Sequence, residues 1–421
     1  MDFIKRLPPW TIPLAGGALI LGYLVFTASV LIGGYRAAAR GEMPVFTDFT
    51  PKYAVSMLVQ REPAANLYIP ERMFQANVAA AQAAYGGRLN DRQAHSIGFA
   101  PWMYPPFFIL FLYPLAFLPY LGAVAAWLAV TAIPYGLAMA RALGRRAGLL
   151  LAFASPPAFY NLMFGQTGFL SGGLIGLGLS LVHARPVAAG ICIGLATFKP
   201  HLGILVPFAL VAGEHWKPFG IAAITLVALV VASVQAFGMD PWYGLIGTIE
   251  FYRSGFEAGA YSYEDLVTVQ GMLRLAGAGP DIAWKAQAVA AVLALAAVLW
   301  AWWHKRSRPS HVGLQTAILG AATLLAVPMA YSYDLVLLMP GVAWLWADMR
   351  ERGASLAEVL ALALPLAAIL PLKAVAGAIH FQYAPLASLA LLALAVVRLN
   401  GLRRQAASGT GEEAGSVAAA S

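Results

Sequence analysis

The chain has 421 residues, of which 60% are hydrophobic and 11% charged, with a formal net charge of +8. Soluble domains carry roughly 25% charged residues, so an ordinary water-soluble globule is excluded. The basic residues cluster at the ends of apolar segments, at Lys5–Arg6, Arg141 with Arg145–Arg146, His304–Lys305–Arg306 with Arg308, Arg350 with Arg352, and Arg398 with Arg403–Arg404. That pattern marks the cytoplasmic side of a membrane protein and gives no continuous face for nucleic acid.

In chain order, the basic start precedes an apolar run from about Ile12 to Ile32, too long for a signal-peptide core and read as a retained anchor. Apolar blocks near the ~20 residues that cross a bilayer follow it. They predict spans near 12–33, 121–141, 147–163, 168–183, 187–199, 201–212, 218–237, 284–303, 312–330, 335–347, 355–372 and 383–400. The period-2 pattern of a membrane barrel is absent, and no internal repeat is visible. The expected fold is therefore an all-α polytopic membrane protein with about 12 transmembrane helices, in one integral domain over 1–405. Both termini are expected in the cytoplasm, with large outer loops at 34–104 and 238–283 and a polar, disordered tail at 406–421.

The first outer loop mixes seven Lys/Arg with five Asp/Glu. "PKYAVSMLVQRE" (51–62) and "PERMFQANVAAAQAAYGG" (70–87) read as helices lying on the membrane surface, each opened by a proline, the second stopped by Gly86–Gly87. "YPPFFILFLYPLAFLP" (104–119) is apolar but short and broken by proline. A full crossing there would turn every later basic cluster outward, so it reads as a segment that enters from the outer face without crossing. The short segments 187–199 and 201–212, joined by "FKPHLG", place Lys199 and His201 in a shallow outward break, a known pointer to a membrane binding site. Cys192, the single cysteine, excludes an intramolecular disulfide and reads as a small buried residue.

Few polar residues within this framework ask for an explanation. Lys199 and Asp334 fall within or at the edge of spans, where an ionisable group usually faces a cavity, a partner or a substrate. Lys199 can equally snorkel to the interface, and Asp334 can equally stabilise a helix N-terminus. Gln166, in "FGQTGFL" between Gly165 and Gly168, is either part of a simple connection or a group for sugar hydroxyls at a cavity mouth. Asp48 in "TDFTP" can cap the helix opened by Pro51, can be solvated, or can be a functional acid among Phe46, Phe49 and Tyr53. A Walker loop, a zinc-ligand spacing and HExxH are all missing. The glycines of "GGLIGLGLS" (172–180) read as helix-packing residues.

The ordered set "FTDFTPKY" (46–53), "NLY" (66–68), "WMYPPFFILFLYPLAFLP" (102–119), "FGQTGFL" (164–170), "GLATFKPHLGIL" (194–205), "VQGMLRLAG" (269–277) and "AVPMAYSYDLVLLMP" (326–340) resembles the membrane-embedded GT-C glycosyltransferases. It is most similar to glycosyltransferase family 87, which includes polyprenyl-phosphate-mannose-dependent mannosyltransferases. The resemblance implies a GT-C fold and transfer of a hexose, mannose in the family's best-known case, from a polyprenyl phosphate to a glycolipid or glycan hydroxyl, with inversion and on the outer face of a bacterial inner membrane. It implies Asp48 as catalytic base. Lys199 and His201 are implied at the lipid phosphate, and Lys52, Tyr53, Tyr104, Gln166, Tyr333 and Asp334 at the substrates. No cofactor and no metal are expected, and the 104–119 segment is expected to hold the lipid tail. One departure stands out, since Tyr331, Tyr333 and Asp334 occupy the place where related proteins carry a histidine. A transporter or flippase for lipid-linked sugars, an O-antigen polymerase or ligase, and a non-catalytic scaffold are the alternatives.

Overall fold

A computed structural model of the protein describes residues 11–42, 47–87, 89–95, 101–257 and 262–419. Lys5–Arg6 and Phe46 lie outside them. Among the described residues the architecture is helical, with one isolated bridge between Leu266 and Tyr331.

The chain opens with α1 (Thr11–Ala39). The first outer segment then forms α2 (Thr50–Leu58), a 3-10 turn (Ala64–Tyr68) and α3 (Pro70–Ala84). Each helix carries a proline in its first turn, Pro51 and Pro70, where the missing N–H costs nothing. Gly86 and Gly87 end α3 at positive φ. Residues 106–117 follow as three short helical pieces, then α4 (Tyr120–Leu143). The chain continues through α5 (Arg145–Ala154), α6 (Pro156–Phe164), α7 (Gly168–Leu181) and α8 (Pro186–Leu195). Two 3-10 turns lead to α9 (Val206–Ala212), α10 (Trp216–Phe237), α11 (Asp240–Glu257), α12 (Val269–Leu275) and α13 (Pro280–Trp302). Last come α14 (Val312–Ala326), a 3-10 turn (Ser332–Leu338), α15 (Met339–Arg352), α16 (Leu356–Ile369), α17 (Leu372–Ile379) and α18 (Ala384–Ala419).

Five helices, α1, α4, α10, α13 and α18, are long and apolar enough to cross a membrane. The count reaches seven if α5–α6, bent by 64°, and α16–α17, bent by 82°, are each one span. The polytopic helical class is as expected. Several of the twelve expected spans, however, fold as short or broken helices. At 1.5 Å per residue, the 14 residues of α7 reach about 21 Å, against a hydrocarbon core of about 30 Å.

Length sorts the helices into layers. The long α10 buries only Pro218 and Ser233 against protein, whereas the short α7 and α14 are buried almost throughout. A helix too short to reach both interfaces leaves polar ends at depth, and only protein can cover them. The glycines of α7 permit that enclosure: a Cβ on Gly173 would stand 2.4 Å from the Tyr135 backbone nitrogen, and one on Gly172 2.9 Å from the Val336 carbonyl.

The outer segments are more ordered than loops. α2 does not show the single buried face of a surface helix, since seven of its nine residues are buried. The second segment, read as a polar loop, contains the 18-residue α11, opened by Asp240 and Pro241. α11 packs on the turn Ala64–Tyr68, with Gly244 against the Tyr68 ring. The two segments expected as outer loops thus pack against each other.

Candidate active site

Two glycines assemble the site. Gly165 ends α6 in the left-handed region (φ 61°), so α7 begins three residues later and Gln166 occupies the connection. A Cβ on Gly165 would also come within 2.8 Å of Phe49 Cβ, so a bare α-carbon is what lets the turn bearing Asp48 dock there. On the other side, a Cβ on Gly168 would meet the Tyr333 carbonyl at 2.3 Å. The turn carrying Asp334 therefore approaches the same connection.

Gln166 is 8% exposed and fixed at every polar atom. Its Nε2 donates to Asp48 Oδ2 at 3.1 Å, and its Oε1 accepts from Lys52 Nζ at 2.8 Å and from the Thr167 N–H at 3.2 Å. Its main-chain carbonyl accepts from Trp127 Nε1 at 3.3 Å. With Oε1 committed to donors, the amide presents its NH2 to the Asp48 carboxyl. Lys52, one turn beyond Asp48, is buried and donates its other bond to the Asp48 main-chain carbonyl at 2.9 Å. The lysine thus holds the Asp48 turn without pairing with its carboxylate. Burial lowers Lys52 to about 7, Asp48 and Asp334 opposing the shift and Lys199 adding to it. Lys52 is therefore within electrostatic reach of both halves of the site.

The second half is an ion pair. The chain breaks at Lys199 between two 3-10 turns, Ala196–Phe198 and Pro200–Gly203. Lys199 Nζ lies 2.5 Å from Asp334 Oδ1 and 4.9 Å from the Tyr333 ring centroid. Asp334 Oδ2 meanwhile accepts the Tyr331 N–H at 3.1 Å. One Asp334 oxygen thus caps the 3-10 turn, as the helix-terminus reading expected, while the other pairs with lysine. Lys199 is buried and does not snorkel. His201 sits on the next turn, within electrostatic reach of the pair.

An aromatic wall covers this arrangement. Phe198, next to Lys199, stacks on Phe108 at 4.6 Å, and Phe108 contacts Tyr104, Trp102 and Trp127. Tyr104 lies within electrostatic reach of Lys199, Asp334 and Asp48, and its carbonyl accepts the Tyr68 hydroxyl at 2.8 Å. The wall excludes water, which strengthens charge interactions behind it.

Most candidates are gathered here: Asp48, Lys52, Gln166, Lys199, Asp334 and Tyr333, with Tyr104 and His201 alongside. Tyr53 is directed elsewhere, its hydroxyl donating to the Leu118 carbonyl at 2.8 Å. The capping reading of Asp48 fails. Phe49 holds the N-cap position of α2 without a side-chain cap, and Thr50 is instead 3.0 Å from the Tyr120 hydroxyl. Trp127 went unread in the sequence because nothing local marks a donor to a carbonyl 39 residues away. Asp265 was also missed. It lies just ahead of "VQGMLRLAG", its Oδ1 is buried without a partner, and burial raises its carboxyl above the usual range, with Asp48 adding to the shift. Its signal was an acid in the second outer segment immediately before a recognised motif.

In chemical terms the site offers a half-buried carboxylate with one oxygen engaged by an amide, beside a buried lysine that can donate to an anion. A model of the family described as glycosyltransferase family 87 matches residues 102–328, just over half of the chain. The matched stretch carries Tyr104, Gln166, Lys199 and His201, while Asp48 precedes it and Asp334 follows it. No curated protein and no solved structure matches the chain.

Proposed function

The chain belongs to glycosyltransferase family 87, and from that membership we propose that it transfers a hexose, mannose in this reading, from a polyprenyl phosphate to a hydroxyl of a glycolipid or glycan. The reaction is placed on the outer face of a bacterial inner membrane, in a GT-C architecture of about twelve crossings with both termini cytoplasmic.

In the proposed step Asp48 takes the proton of the acceptor hydroxyl through the oxygen that Gln166 leaves free. The acceptor oxygen then attacks the anomeric carbon from the face opposite the phosphate. The sugar–phosphate bond breaks, the electron pair leaves on the polyprenyl phosphate, and the anomeric configuration inverts. Lys199, held by Asp334 and assisted by His201, donates to the departing phosphate, the charge-directed stabilisation that supplies much of enzymatic rate enhancement. Lys52 and Gln166 are positioning residues, since they orient Asp48. A sugar delivered on a lipid needs no nucleotide-binding domain.

The observation that carries this reading is the convergence of the Asp48 turn, docked at Gly165, and the turn of the Lys199–Asp334 pair, docked at Gly168, on the connection that bears Gln166. The test is transfer of radiolabel from polyprenyl-phosphate mannose to a membrane glycolipid extract by protein in lipid nanodiscs. Asp48→Asn should lower turnover about 10²–10⁴-fold, the usual contribution of a general base. Equal transfer by wild type and variant would remove Asp48 from the reaction.

A further inference from the structure

The break at Lys199 borders a second feature that the proposed reaction leaves unused. Thr197 and Pro200, on either side of the lysine, line a cavity of about 370 Å³ between α8, α9 and α10. Gly203, Phe219, Ala223 and Leu226 continue its wall. Small-molecule sites run from about 300 to 1,000 Å³, so the volume suits a sizeable ligand segment. No charged side chain lines it. Its one hydroxyl-bearing residue, Thr197, already donates to the Gly194 carbonyl at 2.5 Å and so presents a satisfied group. Ile204, Phe208 and Val211 nearby are 51%, 45% and 44% exposed, which leaves this side open to the lipid phase.

We infer that this groove seats the hydrocarbon chain of an isoprenoid phosphate whose phosphate lies at the Lys199–His201 break. The inference rests on the proposed donor class and says where that donor lies. An occupant suited to this place is apolar along its length and anionic at one end, because no charged side chain lines the groove and Lys199 lies in the chain between its lining residues Thr197 and Pro200. Burying apolar chain there contributes about 25 cal/mol per Å² removed from water. Gly203, Ala196, Ala222 and Ala223 leave hollows between the branched Ile193, Ile204 and Leu226. A methyl-branched chain fills hollows of that kind better than a straight acyl chain. The alternative seat, the segment 104–119, has its inward side chains Phe107, Phe108, Ile109 and Leu112 already enclosed by protein.

The test is photo-crosslinking of the full-length protein in nanodiscs with a diazirine-bearing farnesyl phosphate, followed by mapping of the labelled peptides. Label is expected within 193–210 and 219–226, displaced by unlabelled farnesyl phosphate and at least about tenfold less well by dodecyl phosphate, a difference of 1.4 kcal/mol. Ala223→Phe, which fills the groove, is expected to cut labelling by a similar factor while thermal unfolding stays unchanged. Label concentrated on 104–119, or on the separate apolar cavity lined by Ile20, Leu128 and Phe169, overturns the inference. So does equal displacement by dodecyl phosphate, which makes the groove an ordinary lipid seat. The two readings separate in a parallel transfer assay. Transfer by the wild type with label elsewhere removes the seat alone, whereas label in the groove with no transfer from any polyprenyl-phosphate sugar removes the enzymatic reading and keeps the seat.

Discussion

Two charged clusters among the described residues invite comparison, the one around Asp48 and Lys199 and one formed by Asp348 and Arg352 of α15, Glu358 of α16 and Arg398 of α18. They differ in how completely their charges are matched. In the second cluster Arg398 donates to Asp348 Oδ2 at 2.5 Å and to Glu358 Oε1 at 2.7 Å, and Arg352 reaches Asp348 Oδ1 at 2.9 Å. The remaining Arg398 donors meet the carbonyls of Gly353 and Asp348. Two guanidiniums and two carboxylates satisfy one another, and the cluster ties three helices together. In the first cluster the Asp48 carboxylate takes no ion pair among the described residues, only one amide N–H, although a buried lysine lies a turn away. Matched charges make a clamp. An acid held in place but left without an ion pair keeps an oxygen open to another partner.

The largest effect should separate the two carboxylates. Asp48→Asn should remove about 10²–10⁴ of turnover with little change in unfolding temperature. Asp348→Asn should do the reverse, lowering thermal stability while turnover per folded molecule is kept. Parallel transfer assays and unfolding curves in nanodiscs would show whether the contrast holds.

Breaking the buried pair comes next. Lys199→Met leaves Asp334 buried without its cation and should cost about 3–5 kcal/mol of stability. The double variant Lys199→Met/Asp334→Leu should recover most of that stability but no transfer, which would distinguish a pair that works on substrate from one that only holds helices. Arg398→Met should destabilise as well, yet leave turnover per folded molecule intact.

Gln166→Leu should then lower turnover by up to about a hundredfold, the scale expected when a reacting group drifts by about 1 Å. Restoring the amide–carboxylate contact is impossible for leucine, so added carboxylate or amide in solution should not rescue it. Gln166→Asn, too short for the same contacts, should fall between leucine and wild type.

The smallest effect is a pH dependence. Lys52 has an ordinary value of 10.5 and a folded value near 7. Between these pH values the unfolded chain binds the proton that the folded chain has released, so stability should rise with pH across about 7 to 10.5. Below 7 the cost of burying the charge is fully present. Lys52→Met should flatten this rise, measured as unfolding temperature against pH. A slope unchanged in the variant would assign the titration to another group.

Composition, segment length and charge clustering were enough to establish a helical polytopic membrane protein, because burial in lipid demands long apolar runs whatever their neighbours. Proline and glycine were equally legible, since they act on the backbone they occupy: Pro51 and Pro70 lie in the first turns of α2 and α3 as read, and the chain breaks at Lys199–Pro200 as read. The ordered motifs pointed to the family. Pairing was not legible. Nothing near Lys199 announces Asp334, 135 residues away, and nothing near Asp48 announces Gln166, 118 residues away. The helical state of 240–257 and the shortness of the core helices were likewise decided by what packs over them. Local pattern fixes where a chain can turn and what it can bury. Which charge faces which depends on close approaches such as those at Gly165 and Gly168, and these exist only once distant segments have met.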